Sequence, residues 1–403
     1  MYIHREEWRE IYRDILEVWR CEVYDIMHDQ GLLVLFFLVP LIYPPLYAYI
    51  YNGETVHDTP LIVADESDGS LSREYIRRID GTSLVNVTHV TPTMSEALRL
   101  FRQREGYGIL HLPRDFDIRI KEGKACQVSL YTDISIMLHY KNFLIAANEQ
   151  SFEMGADIRL KKLSGTQESS LNKVRPVRHN EIALFNPAAG YATFLLPLVL
   201  LMILQQTMLI GVGMLAGTKR ERNIRHRLIS NIHGGLYNGS IRVVVGKSLA
   251  YLPLYFAHSL WGLLLIPALF HLPLPASPVT GILFIAAFIT SCTFFSLTIG
   301  SIIRNREHAF IILVFTSVLF MFLSGVIWPE GSMPTLWRRS AYLIPTTPGS
   351  RGWVSLTTMG GGLDTILTPY LTLWIQSAVY FITSCLCYEY QLRRSHLIPT
   401  GRG

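Results

Sequence analysis

Six long apolar stretches, at 32–51, 187–216, 243–270, 279–303, 309–328 and 369–388, carry almost no ionisable side chain. Each is near or above the ~20 residues that an α-helix needs to cross a hydrocarbon layer of ~30 Å. They are read as membrane-spanning helices, and only His258 lies well inside any of them. Carriers driven by a proton or sodium gradient place acidic or basic groups near the midplane, because an intramembrane charge is costly and is kept for function. The pattern here disfavours that class. Energy for any transport has to come from elsewhere.

With half of its 403 residues hydrophobic and 17% charged, the chain reads as a polytopic α-helical membrane protein with six transmembrane helices and one inserted water-soluble domain. The net charge of +5 reflects loop topology rather than nucleic-acid affinity, since the cations cluster beside the spans. Arg5, Arg9, Arg13 and Arg20 precede the first span, and Lys219, Arg220, Arg222, Arg225, Arg227, Arg242 and Lys247 lie between the second and third. Arg304 and Arg306 separate the fourth and fifth, and Arg393, Arg394 and Arg402 follow the sixth. The loop at 271–278 has no Lys or Arg. Positive-inside orientation therefore puts both termini in the cytoplasm and the protein in the inner (cytoplasmic) membrane. The expected layout is an interfacial amphipathic helix at 1–30, a first transmembrane helix at 31–52, an extracytoplasmic α/β domain at 53–185, a five-helix remainder at 186–390 and a cytoplasmic tail at 391–403.

Residues 1–30 are too long and too mixed in charge for a cleavable signal, and Tyr47, Ala48 and Tyr49 make a poor cleavage site. Trp8, Ile11, Tyr12, Ile15, Leu16, Trp19, Val23, Ile26 and Met27 form one stripe at helical spacing, with Arg9, Arg13, Asp14, Glu17 and Arg20 elsewhere on the wheel. This predicts a helix lying in the membrane interface or packed on a soluble partner.

Within 53–185, β-prone runs at 61–64, 84–90, 107–112 and 127–131 alternate with helical patterns at 70–79, 94–104, 113–121 and 137–163. That order favours a small α/β domain with a partly parallel sheet. Asp65, Glu66 and Asp68 lack a complete oxygen-ligand loop for calcium, and Gly69 favours a solvated turn. His57, His89, His111 and His139 show no ligand spacing, and the five cysteines give neither a disulfide framework nor a zinc motif. No catalytic or metal site is assigned. Ser164, Gly165, Thr166, Ser169, Ser170 and Asn172 form a polar linker before Pro176.

Gly246, Lys247 and Ser248 look like the end of a phosphate-binding loop, but the earlier glycine such a loop requires is Ile241, and the triplet opens an apolar span. No ATPase is recognisable in the chain. The segment 218–228 is expected to form a short cytoplasmic helix suited to docking in a partner's groove; its cations equally enforce topology. Gln205, Gln206 and Thr207 in the second span, and Thr316, Ser317 and Ser324 in the fifth, need partners on other helices or line a path. Gly213 and Gly217 fit a small-xxx-small contact. Pro329, Pro334, Pro345, Pro348 and the glycines at 360–362 interrupt 329–368, which reads as a re-entrant outer segment of short helices.

Four segments together carry a likeness: Tyr43, Pro44, Tyr47 and Tyr51-Asn52; residues 63–67 followed by Leu71, Ser72 and Arg73; Glu221-Arg222; and Ser324-Gly325, Pro329, Met333-Pro334 and Pro345. In these the chain resembles the permeases of type 2 ATP-binding-cassette (ABC) exporters, especially the subgroup with a large extracytoplasmic domain after the first span. The resemblance implies a homodimer or heterodimer of permeases, each engaging a separate ABC ATPase that holds ATP and Mg, with no cofactor on this chain. It implies coupling to that ATPase through Lys219, Arg220, Glu221, Arg222, Arg225 and Leu228, with Gln205, Gln206, Thr316, Ser317 and Ser324 as candidates for the substrate path. After Glu221-Arg222 the family often continues with Gly, Thr and a later Glu, where this chain has Asn223, Ile224 and Arg225. The expected bistable element is the span-two and span-five pair. The apolar path favours an amphipathic or hydrophobic substrate; a periplasmic adaptor and membrane lipids are further expected partners, and nucleic acid is not. The competing reading is a non-transporting scaffold or sensor whose outer domain binds a partner, with an integral-membrane enzyme third.

Overall fold

Where proline removes a backbone donor from an apolar helix, something else has to satisfy the carbonyl left behind. The computed structural model, which describes residues 2–51, 56–134, 136–163, 190–221, 236–325, 327–328 and 330–396, shows this in its first span. Helix α1 (Tyr2–Met27) leads into α2 (Gln30–Tyr51), capped by Asp29, whose side chain accepts from the N–H groups of Gly31 and Leu32. A π-helical turn at Val34–Leu38, where Val39 N–H reaches Val34 O, ends just before Pro40. Pro45 has no N–H for the Leu41 carbonyl, and Trp261 Nε1 donates to that oxygen at 3.0 Å.

The described residues within Thr55–Ile182 form one compact unit, and the rest of the chain forms another. In the larger unit, α7 (Tyr191–Glu221) is the central helix. It packs against α2, α9 (Pro278–Ile302), α10 (Arg306–Leu323) and α12 (Thr346–Thr358). Helix α8 (Leu236–Leu260) continues through a second π turn, Trp261–Leu265, which ends just before Pro267. It packs on α1, α9 and α13 (Leu367–His396). Among the described residues of this unit, six helices are long and apolar enough to cross a membrane.

Several expected spans shift at their ends, the sixth among them, which runs on to His396. The second runs past 216 to Glu221, because Lys219, Arg220 and Glu221 all find partners within the unit. The third begins at Leu236 rather than 243. The fifth stops at Leu323 rather than 328, where Ser324 caps it and Gly325 takes the left-handed φ of +82° that only glycine adopts readily. Between spans five and six lie α11 (Thr335–Ala341), with Leu336 and Trp337 exposed, and α12, which is largely buried among α7, α9 and α13. The interrupted segment is therefore one exposed helix and one inner helix.

The smaller unit is a four-stranded sheet in the order β2-β1-β3-β4. Strands β1 (Thr59–Asp65), β2 (Val85–Thr91) and β3 (Gly108–Leu112) are parallel, and β4 (Ser129–Thr132) is antiparallel to β3. Alternation along β1 sends Leu61 and Val63 to a core shared with α3 (Ser70–Asp80), α5 (Phe116–Glu122) and α6 (Met137–Leu163), and Ile62 and Ala64 to the opposite face under α4 (Met94–Arg102). The acidic turn after β1 is held by its own carboxylates. Asp65 Oδ1 accepts from the N–H groups of Ser67 and Asp68, each at 3.1 Å, and Oδ2 accepts from Ser72 Oγ at 2.7 Å. Asp117 sits on the α3 N-terminus and accepts from Leu71 N–H and Ser72 N–H at 3.0 Å each. Burial alone raises its pKa, but these two backbone bonds and Lys121 outweigh that and hold it below the usual aspartate value.

Gly217 lets α7 touch the start of α10: a Cβ there would lie 2.6 Å from Arg306 N and 2.7 Å from Asn305 C. Both are backbone atoms, so the helices have to part. Gly217→Ala is expected to destabilise the chain by about 1–3 kcal/mol. Gly155→Ala, where a Cβ meets nothing within 4 Å, is expected to leave the melting temperature unchanged or slightly raised. Thermal unfolding of both variants in the same detergent checks the pair.

Candidate functional site

Residues four apart lie on one line of a helix, and on α1 the buried line is Asp14, Val18, Glu22 and Ile26. It faces α8, so two carboxylates enter the helix contact together with two apolar side chains. Trp8, Tyr12 and Met27, which belong to the apolar stripe expected to lie in the membrane interface or on a soluble partner, are exposed. The sequence places Asp14 on the polar side of the wheel; the structure turns it inward because cations wait on α7 and α8.

Glu22 is 2% exposed and holds both lysines. Lys219 Nζ donates to its Oε2 at 2.5 Å, Lys247 Nζ to Oε1 at 3.0 Å and Oε2 at 3.1 Å, and the Tyr251 hydroxyl to Oε1 at 2.6 Å. Lys219 also meets Asp25 at 2.8 Å, and Lys247 lies over the Tyr388 ring of α13 at 5.5 Å. Arg242 Nη1 bonds Asp14 Oδ2 at 2.6 Å. Burial raises the Glu22 pKa, yet Lys219, Lys247 and the Tyr251 hydrogen bond together bring it down to about 2. It is an ionised carboxylate at every physiological pH.

A second set of bonds joins the neighbouring helix ends. Arg306, the first residue of α10, forks onto Asp29, with Nη2 reaching Oδ1 at 2.8 Å and Nη1 reaching Oδ2. That hydrogen bond, against burial, lowers the Asp29 pKa. Arg306 N–H donates to Glu221 Oε1 at 3.0 Å. Arg220 closes the end of α9, donating to the Ser301, Ile302 and Ile303 carbonyls at 3.0, 3.1 and 2.8 Å. At this end of the membrane unit Asp14, Glu22 and Asp25 thus tie α1 to cations of α7 and α8, and Asp29, at the head of α2, ties that helix to α10. Gly246 permits the α1 approach: a Cβ there would lie 2.8 Å from Val18 Cβ and 2.9 Å from Ile15 O. The triplet that resembles a phosphate loop is a helix contact plus one leg of the Glu22 cluster.

Of the expected coupling residues, Lys219, Arg220 and Glu221 occupy the last turn of α7 rather than a separate loop helix. Lys219 is buried and Glu221 exposed. Arg222, Arg225 and Leu228 lie outside the described residues. The five path candidates are not gathered into one site. Gln205 Oε1 accepts from Thr346 N–H at 2.8 Å and Thr346 Oγ1 at 2.5 Å, which fixes the start of α12. The Ser324 carbonyl accepts from Ser350 Oγ at 3.3 Å and holds the same helix one turn further along. Ser317 Oγ bonds back to Val314 O at 2.6 Å, and Thr316 is half-buried on α10. Gln206 is buried with neither amide atom hydrogen-bonded. Missed by sequence reasoning were Asp14, Glu22, Arg242, Lys247 and Tyr251 as one cluster. The available signal was two acids two helical turns apart on α1, with the cations counted for topology alone.

The cluster has no nucleophile placed for chemistry; its property is mechanical. Parting Glu22 from its lysines leaves buried charges uncompensated, so the helices move together or not at all. Glu22→Gln is expected to destabilise the chain by about 3–5 kcal/mol, read by chemical denaturation. The folded pKa lies below the unfolded one, so the Glu22 contribution is complete above about pH 4.3 and is lost as pH falls toward about 2. The variant is expected to show a flatter stability profile across that window.

Residues 31–386 match a family model described as ABC-2 family transporter protein, and no curated protein matches the chain. The match spans well over half of the sequence and reaches into each of the six candidate spans. Permeases of this family work in general with an ABC ATPase. On the six helices and this match, the chain is a multi-pass membrane protein that belongs to the ABC-2 family of transporter proteins, as a permease component of the ABC exporter type.

Proposed function

We propose that this permease exports an amphipathic or hydrophobic substrate from the cytoplasm or inner leaflet, driven by ATP hydrolysis on a separate subunit. The chain itself is not an enzyme in this reading; ATP and Mg reside on the partner. Two permeases, identical or related, form the translocating dimer in the inner membrane. Both termini are cytoplasmic and the α/β unit lies outside, in keeping with the subgroup that carries a large extracytoplasmic domain, where a periplasmic adaptor is a further candidate partner.

The observation that carries this reading is the ion cluster joining α1 to α7 and α8, with the adjoining Asp29–Arg306 pair joining the head of α2 to α10. The cation-rich loops that orientation rules place in the cytoplasm begin at this same end. A partner pushing on α1 or on the segment after Glu221 acts at once on α7, α8 and α10. Helix α12, pinned to α7 through Gln205 and to the end of α10 through Ser324, is positioned to follow. Differential contact with two states of the ATPase then biases a two-state element.

Co-purification with an ABC ATPase from the same cells tests the proposal. The wild type is expected to retain that ATPase and alter its turnover. Glu221→Ala combined with Arg222→Ala is expected to insert and melt normally while coupling falls roughly 5-fold or more. Wild-type coupling in the double variant rejects the docking assignment; absence of any retained ATPase favours the scaffold reading instead.

A further inference from the structure

Between spans five and six the chain leaves the end of α10 remote from the Glu22 cluster and returns through α11 and α12 to α13. Hydrogen bonds fix how deep it goes. The carbonyls of Tyr342 and Leu343, just past α11, accept from Gln376 Nε2 at 2.5 Å and from the Tyr380 hydroxyl. On a helix rising ~1.5 Å per residue, these donors stand ~14 and ~20 Å along α13 from Leu367. The apolar span of α13 covers 25 residues, Leu367–Gln391, which exceeds a hydrocarbon layer of ~30 Å by only a few ångströms at each end. Tyr342 is therefore held inside the layer. Beside it, Ala341 and Ile344 pack against Phe320 and Leu323 of α10.

Arg338 and Arg339 belong to the last turn of α11, so their backbones lie within about 6 Å of the level of Tyr342. Charge at that depth is costly, and a long cationic side chain reaches for the nearest polar group. Arg339 is exposed and Arg338 half-buried, and among the described residues neither meets a carboxylate. The one acid between positions 325 and 358 is Glu330, and Arg351 takes it at 2.6 Å while lying over the Tyr342 ring at 4.9 Å.

The apolar surroundings are those a lipid would meet. Leu336, Trp337 and Leu343 are exposed, as are Leu319 and Phe322 on the adjoining end of α10. Acyl chains cover such a surface, and exposed indole rings collect at the headgroup level. Arginine suits the phosphate above those chains, because its planar fork of donors engages two oxygens at once.

We propose that Arg338 and Arg339 bind the phosphate of an anionic phospholipid in the leaflet remote from the Glu22 cluster, with its acyl chains against Leu336, Leu343 and Phe322. The site belongs to the membrane unit alone, so it goes beyond the exporter reading and stands or falls separately from it.

The test uses the full chain in phosphatidylcholine nanodiscs that carry a diazirine phosphatidylglycerol or, at the same level, its phosphatidylcholine counterpart. Labelling is read by mass spectrometry over residues 335–344 after peptic digestion. The phosphatidylglycerol probe is expected to label this segment about tenfold more than its counterpart. Arg338→Gln with Arg339→Gln is expected to bring the two probes to parity here, while the cation-rich opposite end keeps its preference. Arg339→Glu, at an exposed position, is expected to do the same and serves if the double variant fails to fold. Equal labelling by both probes in the wild type, or an undiminished preference in either variant, overturns the proposal. A benzoylphenylalanine in place of Leu336 adds a second readout. Linkage to phospholipid supports the site, and linkage to a second copy of the chain in its place overturns it.

Discussion

A carboxylate sealed away from water has to be met by positive charge and hydrogen-bond donors, and Glu22 imposes that requirement on half of the membrane unit. It draws Lys219 from the end of one span, and Lys247 and Tyr251 from the start of another, to a single point on α1. Buried ion pairs of this kind are poor evidence for added stability, because desolvation offsets most of the attraction. Their value lies in geometry. A hydrophobic contact slides at little expense, whereas two lysines on one carboxylate fix the register of three helices.

The opposite requirement governs the polar atoms deeper in the unit. Gln205, Ser291, Ser324, Ser350 and Gln376 join helices by neutral hydrogen bonds, and α12 is the element most of them reach or adjoin. Such bonds between apolar helices are worth about 0.6–2 kcal/mol each. They allow small displacements that the ion cluster forbids. The membrane unit is accordingly joined by buried ion pairs at its charged end and mainly by neutral bonds around α12, where the half-exposed Arg351–Glu330 pair is the ionic contact among the described residues.

The spans were legible because apolar length is a one-dimensional signal, and the strands and helices of the α/β unit because their alternation is local. Boundaries failed where tertiary partners decide: α7 outlasts its apolar run since Arg220 caps another helix, and α10 stops short at Gly325. The charged cluster was hidden for a related reason. On a helical wheel Asp14 and Glu22 look solvated, and nothing within residues 1–30 announces cations that arrive from positions 219, 242 and 247. Gln205 and Ser324 were visible as polar residues in lipid; that both hold α12 depends on a helix whose placement the prolines around it obscure.

Parallel sheets wound to both sides usually receive ligands at the carboxyl ends of the strands where the winding reverses, often with phosphate on the following helix N-terminus. Here that point lies beyond β1 and β3, and the Asp117 carboxylate already fills it, so close that a Cβ on Gly69 would lie 2.0 Å from its Cγ. An incoming anion would confront a fixed negative charge that already engages the Leu71 and Ser72 amides. The customary doorway of this architecture is shut from within, and any small molecule the sheet recognises must come in by another wall.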